Sequence, residues 1–146
     1  MPGQAGEPSY LFSSKRQVAF KWTAPDTDGG SPLTGYKISW CRQIDSLGNF
    51  GNFVDLVEIG RPQVRSFYLT TGLTTGQKYR FRVTARNAVG FGVPSTHIEI
   101  MPAEAPGSPN TPTLTALSGS SIQISWTFNQ TLNGGTPIID YTVYWD

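Results

Sequence analysis

Large apolar residues alternate with polar or small ones along most of this chain, with a period of two residues. The run VAFKW (18–22) shows this first, and the same alternation returns at 36–40, 79–85 and 98–100. Successive side chains of a β-strand point to opposite faces, so this period predicts strands that are each buried on one face. No segment shows the longer period of an amphipathic helix.

Turn-forming residues separate these alternating stretches. The chain contains 16 glycines and 11 prolines, and they cluster at 25–32, 47–52, 60–62, 72–76 and 89–94. Further strands are predicted between these clusters, at 10–13, 53–59 and 66–71. Short strands divided by such turns predict an all-β chain folded as an antiparallel β-sandwich.

The pattern of residues 18–40 returns at 122–145. The matched pairs are Trp22 and Trp126, Gly30 and Gly135, Pro32 and Pro137, Tyr36 and Tyr141, and Trp40 and Trp145. A repeat of this length indicates a tandem array of similar domains. We therefore expect a complete domain at 1–103, followed at 104–146 by a linker and the first strands of a second, truncated domain.

Three strands are predicted in the second copy, at 113–117, 121–128 and 140–146. Three strands cannot cover both faces of a sandwich, so the aromatic side chains of this copy are expected to remain exposed. The proline-rich run at 101–109 also resembles the run at 1–8, which aligns Met1 with Met101. This alignment predicts that the chain is an excerpt and that Met1 is an internal residue of a longer protein.

Several motifs in the right order carry a family resemblance. Trp22 is followed by Pro25, the loop DGGSPLTGY (28–36) leads into the next strand, and LTTGQKYRFRVTARNAVGFG (73–92) follows later. These residues resemble the fibronectin type III family, and the resemblance implies an immunoglobulin-like antiparallel β-sandwich. The resemblance implies that Tyr79 is a tyrosine corner whose hydroxyl bonds to backbone upstream. The structural markers that match the family are Trp22, Tyr36, Leu73 and Tyr79, with Trp126 and Tyr141 in the second copy.

The sequence departs from the family pattern in two places. The stretch at 42–65 is longer than usual and holds the loop DSLGNFGN, and the loop at 88–94 carries no Arg-Gly-Asp sequence. The integrin-binding role of some family members is therefore not expected here. The extra loop brings two aromatic residues, Phe50 and Phe53, which are candidates for contact with a partner.

Composition excludes several kinds of partner. Only 14% of residues are charged and the net charge is +1, which argues against nucleic acid and against anionic lipid. No apolar run approaches the roughly 20 residues that a membrane-spanning helix needs, so no membrane insertion is expected. Asn129 begins the sequence Asn-Gln-Thr, a possible glycosylation site.

Residues that could carry catalysis are few. The single cysteine, Cys41, rules out an intrachain disulfide and a multi-cysteine zinc site. His97 is the single histidine, and the alternation places both side chains on outward strand faces. Asp26 and Asp28 faintly resemble a calcium loop, but a turn explains them better. We expect no enzyme activity, no cofactor, no metal and no small-molecule substrate.

A basic stripe is the strongest candidate for a contact surface. Arg80 and Arg82 alternate with core residues on one strand, between Lys78 and Arg86, and Lys37 projects from a neighbouring strand. Glu99 is expected to pair with Arg80 or Arg82 across the sheet. The alternative is a solvated sheet face held by such pairs. Phe91, in an exposed loop, is a further candidate for a contact, or else a cap on the sandwich end.

These observations predict a non-enzymatic structural or adhesive module that binds other protein chains. The parent would be a larger multidomain protein of the cell surface, the matrix or a filament. Two alternatives remain: spacer domains of a modular carbohydrate-active enzyme, and a receptor ectodomain that binds ligand at an interdomain elbow. Low charge and many Ser and Thr residues favour an extracellular or cell-surface location, with a cytoskeletal or ciliary filament assembly as the alternative.

Overall fold

Two antiparallel sheets pack face to face in the computed structural model, which describes residues 1–145. The strands of this sandwich, in chain order, are β1 (Ser9–Ser14), β2 (Gln17–Lys21), β3 (Leu33–Arg42), β4 (Val54–Ile59), β5 (Ser66–Leu69), β6 (Tyr79–Asn87), β7 (Gly90–Phe91) and β8 (Ile98–Ile100). One sheet has the order β1-β2-β5. The other has the order β4-β3-β6-β7, and β8 also pairs with β6. The predicted sandwich and its strands are confirmed, with bounds that differ by at most a few residues.

The core lies between the two sheets and is built from the apolar side of each alternating strand. Phe20 of β2 and Phe81 of β6 meet at its centre, with ring centroids 5.1 Å apart, and neither is exposed to solvent. Trp22 packs edge to face on Tyr36, at 5.4 Å between centroids. Burying one large apolar side chain contributes about 1.5–3 kcal/mol. The remaining buried members of this cluster are Ala5, Val18, Ile38, Leu69, Tyr79, Val83, Ala85 and Ile100.

Tyr79 ties the loop before β6 to the core. Its hydroxyl accepts a hydrogen bond from the backbone N–H of Thr74, at 2.9 Å, five residues upstream. Its ring is buried and stacks on Trp40, with centroids 5.3 Å apart and planes only 6° from parallel. Leu73 is half-buried and packs against the same core cluster. This is the backbone contact that the family resemblance implied for Tyr79.

The second copy forms a hairpin but not a third strand. Its strands β9 (Thr113–Leu117) and β10 (Ile122–Ser125) pair with each other, and a short 3₁₀ helix follows at Gln130–Leu132. The strand predicted at 140–146 is wrong for residues 140–145, which have no strand conformation, and residue 146 lies outside the described part. In the first copy the matching strand β3 is held between β4 and β6. The second copy has no counterpart of either strand among its described residues.

Backbone contacts correct the expected alignment of Met1 with Met101. In the first copy the N–H of Gly3 donates to the carbonyl of Thr27, at 2.9 Å. In the second copy Gly107 makes the same bond to Leu132, at 2.8 Å. Gly3 therefore corresponds to Gly107, which places Met1 opposite Ala105. The expected alignment rested on the Met-Pro pair shared by 1–2 and 101–102. Proline recurs throughout this linker, so a shared proline does not fix the alignment.

Candidate interaction surfaces

The six residues predicted as partner contacts lie together on the outer face of the sheet formed by β4, β3, β6 and β7. Strand β6 turns Arg80 and Arg82 toward this face, because its alternate residues fill the core. Strand β3 runs antiparallel beside it, with Cys41 opposite Arg80 and Ser39 opposite Arg82. We call this surface the outer face, and its predicted members are Lys37, Phe50, Phe53, Arg80, Arg82 and Phe91.

Each aromatic ring of the outer face lies against a cation. Phe50 covers the Arg80 guanidinium at 3.7 Å, and Phe53 covers that of Arg82 at 4.2 Å. Phe91 lies beside the Lys37 ammonium, at 4.4 Å from its centroid, and is therefore half-buried rather than exposed as expected. Such cation–π contacts contribute about 0.5–1 kcal/mol at exposed sites. They hold the aromatic side chains against the cations of β3 and β6.

Acidic residues neutralise much of the basic stripe. Lys37 pairs with Asp55 at 3.0 Å, and Arg86 pairs with Glu58 at 2.9 Å. Glu99 bridges Lys78 at 3.1 Å and Arg80 at 3.3 Å, so the expected pairing with Arg80 is found and the one with Arg82 is not. The pairing of Arg86 with Glu58 was not predicted, because the register between two strands cannot be derived from the sequence of one strand.

The extra loop lines the same groove as Cys41, whose thiol is not on the surface. The loop closes on itself through a bridge between Gln43 and Phe50, and Asp45 accepts backbone N–H bonds from Leu47 and Asn49, both at 3.0 Å. Held in this form, it folds back over the outer face. Cys41 was expected to point outward into solvent, but it is only 5% exposed. Burial raises the pKa of its thiol.

The loop also presents apolar side chains that the sequence patterns did not single out. Ile44 and Leu47 are 64% and 87% exposed, and Val54 at the start of β4 is 55% exposed. Ile44 and Val54 border a groove of about 410 Å³ with the half-buried ring of Trp40 on its wall. In the sequence, this surface could have been found from Ile44 and Leu47, which are apolar residues inside a loop rich in turn-forming residues.

The carboxyl group of Asp55 is the best probe of the charge pairs. Hydrogen bonds from Lys37 and from the Ser39 hydroxyl, at 2.9 Å, hold the pKa of Asp55 below its ordinary value. For Glu99, burial alone would raise the pKa, but the bonds from Lys78 and Arg80 leave it lowered. Both carboxylates therefore favour the folded state while they are ionised.

Replacing Asp55 with asparagine is expected to lower stability at pH 7 by up to about 1 kcal/mol, the range of exposed ion pairs. A lowered pKa gives stability that is present above the unfolded value of about 3.9 and is lost as pH falls through the folded value. The difference between Asp55→Asn and the original chain should therefore shrink below about pH 4. Urea unfolding at pH 7 and pH 2.5 measures it. Exposed Asp26→Asn is the control, and an equal deficit at both pH values would contradict the expectation.

The single histidine of the chain lies on the surface, beside an aromatic ring. His97 is exposed, as expected, and its ring lies 6.3 Å from that of Phe53. Within residues 1–145, no cluster of three or more His, Cys, Asp or Glu could hold a metal ion. None of the helices in that range is long and apolar enough to cross a bilayer. Asn129, the possible glycosylation site, accepts bonds from the N–H and the hydroxyl of Thr131, at 3.0 and 2.8 Å.

The markers of the second copy stay partly uncovered. Trp126 is half-buried and meets Tyr141 edge to face, at 5.6 Å between centroids. Tyr141 is 44% exposed and Trp145 is 90% exposed. The expectation of exposed aromatic residues is confirmed for Tyr141 and Trp145, while Trp126 finds cover against Tyr141.

A second surface joins the two copies through the linker at 102–104, which we call the joint. On one side, the carbonyl of Pro102 accepts from the N–H of Gly76 at 2.9 Å, and Glu104 pairs with Lys15 at 3.0 Å. On the other side, the N–H of Glu104 donates to the carbonyl of Gly134, at 2.9 Å. The linker is thus bonded to both copies within three residues.

Comparison with known proteins agrees with this architecture. The fibronectin type III domain model matches residues 9–101. The chain belongs to the fibronectin type III family. This range covers all eight strands of the sandwich, including the buried Tyr79 and the run at 73–92 that carried the resemblance. The type III assignment made from the sequence is therefore confirmed.

Relatives of this type III chain are large proteins. It is 28% identical over 140 residues to fibronectin type-III domain-containing protein 3A of Mus musculus, covering 89% of this chain and 10% of that protein. It is 28% identical over 123 residues to the striated-muscle M-protein of Gallus gallus, covering 75% of this chain and 8% of that protein. The chain thus spans about a tenth of the length of these curated relatives.

A crystal structure of titin domains shares the fold. It superposes with a TM-score of 0.60 at 23% identity, covering 71% of this chain and 33% of that one. At this level of identity the likeness supports the type III sandwich alone.

Proposed function

We propose that this chain is a non-enzymatic spacing and protein-interaction module of a larger filament-associated protein. Its first unit would be the complete type III domain at 1–103, and its second unit the linker and partial domain at 104–146. The observation that carries the proposal is the joint, in which Glu104 is bonded both to Lys15 of the first unit and to Gly134 of the second, two residues after Pro102 bonds to Gly76. A linker bonded on both sides sets a fixed spacing and orientation, whereas free linkers leave domains mobile.

The relatives support a tandem arrangement. The match to the type III protein of Mus musculus extends over 89% of this chain, well beyond the 9–101 range of the first domain. Relatives that include a striated-muscle protein favour the filament alternative over the extracellular location expected from composition. The outer face would then be the contact surface of the module, because its aromatic rings are already held in place before a partner binds.

The contact between Thr75 and Gly135 provides a test of the joint. A β-carbon on Gly135 would collide with the Thr75 methyl group, whereas a β-carbon on Gly30, the matching residue of the first copy, would meet nothing within 4 Å. Both glycines have positive φ, at 96° and 81°, a region that asparagine tolerates better than most residues. Gly135→Asn and Gly30→Asn are therefore matched in backbone strain and differ in the joint contact.

Gly135→Asn is expected to speed hydrogen exchange at the backbone N–H of Glu104 by at least about tenfold, because the bond from Glu104 to Gly134 is lost. Exchange at Val83, in the core of the first domain, should not change. Gly30→Asn is the control and should leave Glu104 protected. NMR-detected exchange on the full chain measures each amide. An unprotected Glu104 amide in the unsubstituted chain would overturn the proposal of a fixed joint.

A further inference from the structure

Both copies carry the same double-glycine loop, and the loop of the second copy contacts Thr75 and Gly76 of the first. We propose that the loop at Gly29 and Gly30 is a docking site for the turn at 73–76 of another type III domain of this kind. The docking would be head to tail, as Gly135 docks on Thr75 and Gly76 within this chain. This inference extends the proposed joint to a second surface and rests on that joint as its template.

The two loops have the same backbone form. Gly29 and Gly134 have φ of 70° and 74°, and a β-carbon on either one would collide with a carbonyl of the preceding linker segment. The N–H of Gly30 donates to the Asp28 carboxylate at 2.9 Å, while that of Gly135 donates to the Asn133 side chain at the same distance. The first loop is therefore already in the shape that the second loop has when it is docked.

The surroundings of the two loops differ at one point. Gly135 lies against the methyl group of Thr75, and a β-carbon on Gly76 would lie 2.7 Å from the carbonyl oxygen of Gly135. The two backbone segments can approach this closely only because both Gly76 and Gly135 lack a side chain. Gly30 is exposed and has an open surface where Gly135 has its partner. The backbone shape that the loop at Gly29 and Gly30 shares with the docked loop is the feature that assigns the site.

The chemistry of the partner follows from the occupied copy. The partner is a tight turn in which a threonine methyl group is followed by a glycine at positive φ. Thr75 and Gly76 form such a turn, and Gly76 has a φ of 79°. In this chain the Thr75 hydroxyl donates to the carbonyl of Lys15, which places a lysine beside the turn. Asp26 and Asp28 lie in or next to the open loop, so a turn flanked by lysine also matches it in charge.

A contact this small needs a linker to raise the effective concentration of its partner. The test is therefore a longer chain, in which residues 1–104 are fused to the N-terminus of the complete chain 1–146. The new junction reads MPAEMPG and the natural one MPAEAPG, so mass spectrometry after hydrogen exchange distinguishes the two. Gly30→Asn is made in either the first or the second copy of residues 1–104, which gives two chains of identical composition.

The glutamate amide of the new junction is expected to be protected, and to exchange at least about tenfold faster when the second copy carries Gly30→Asn. The same substitution in the first copy should change nothing there, because no turn precedes it. Equal exchange at the new junction in both variants, with the natural junction protected, would overturn the docking site alone. An unprotected natural junction would overturn the proposed joint and this inference together.

Discussion

Replacing Phe81 with alanine is expected to lower the free energy of unfolding by about 3–5 kcal/mol, the range for removing a buried aromatic ring. Phe81 has no exposed surface, and its ring lies 5.1 Å from that of Phe20 and 6.2 Å from that of Trp40, between centroids. Both sheets contribute to this contact, so the side chains around an emptied site cannot close it without moving a sheet. Since domains of this size are stable by only about 5–15 kcal/mol, the variant should be close to unfolding.

Urea unfolding followed by tryptophan fluorescence measures this loss for Phe81→Ala. Tyr68→Ala is the control, because Tyr68 is an aromatic strand residue that is 54% exposed. It should lower stability by at most about 1 kcal/mol. Similar losses in the two variants would show that the centre of the sandwich is not where the energy of burial is concentrated.

Replacing Gly35 with alanine is expected to lower stability by about 2–3 kcal/mol, at the upper end of the cost of overpacking. A β-carbon on Gly35 would collide with the backbone carbonyl oxygen of Ile59 in the adjacent strand β4. Backbone atoms cannot move aside as a flexible side chain can, so β4 must shift. This shift would occur beside the end of β3 where the register between β3 and β6 is already irregular, around Gly35. The same shift would move Glu58 away from Arg86.

Gly60→Ala is a close control for Gly35→Ala. A β-carbon on Gly60 would meet nothing within 4 Å, and the two positions lie next to each other across β3 and β4. The control should change stability by no more than about 0.5 kcal/mol. Chemical unfolding gives the two free energies, and NMR shifts of the Arg86 side chain report the loss of its pair. An unchanged Gly35→Ala variant would mean that β4 is not held at this distance.

The strand pattern of the first domain could be predicted because the large apolar residues of β2, β3 and β6 fall on the core side of each strand. Alternation at 79–85 therefore identified both the core residues and the outward cations, including Arg80 and Arg82. The tyrosine corner could be assigned because its spacing from Leu73 is local. In each of these cases the information lies within a few neighbouring residues.

Features that depend on contacts between distant segments could not be predicted in the same way. Cys41 was expected in solvent because its strand position is outward, and nothing in its own strand shows that other segments bury it. The position of Phe91 on Lys37 has the same cause, since 54 residues separate the two in sequence. The strand predicted at 140–145 does not form, for a related reason. Its alternating pattern is typical of a strand, but a strand also needs a neighbouring strand to which its backbone can bond.

The burial of Cys41 has a consequence for the chemistry of the one thiol. Cys41 is only 5% exposed and lies in the wall of the groove beside Ile44 and Val54, so the rate of alkylation reports how often that groove opens far enough to admit a reagent. Because the thiol is single, every modified molecule records the same event, and a mass change of one adduct is unambiguous. The alkylation rate of Cys41 thus measures local opening of the outer face without any introduced label. A partner that binds to this face should lower that rate.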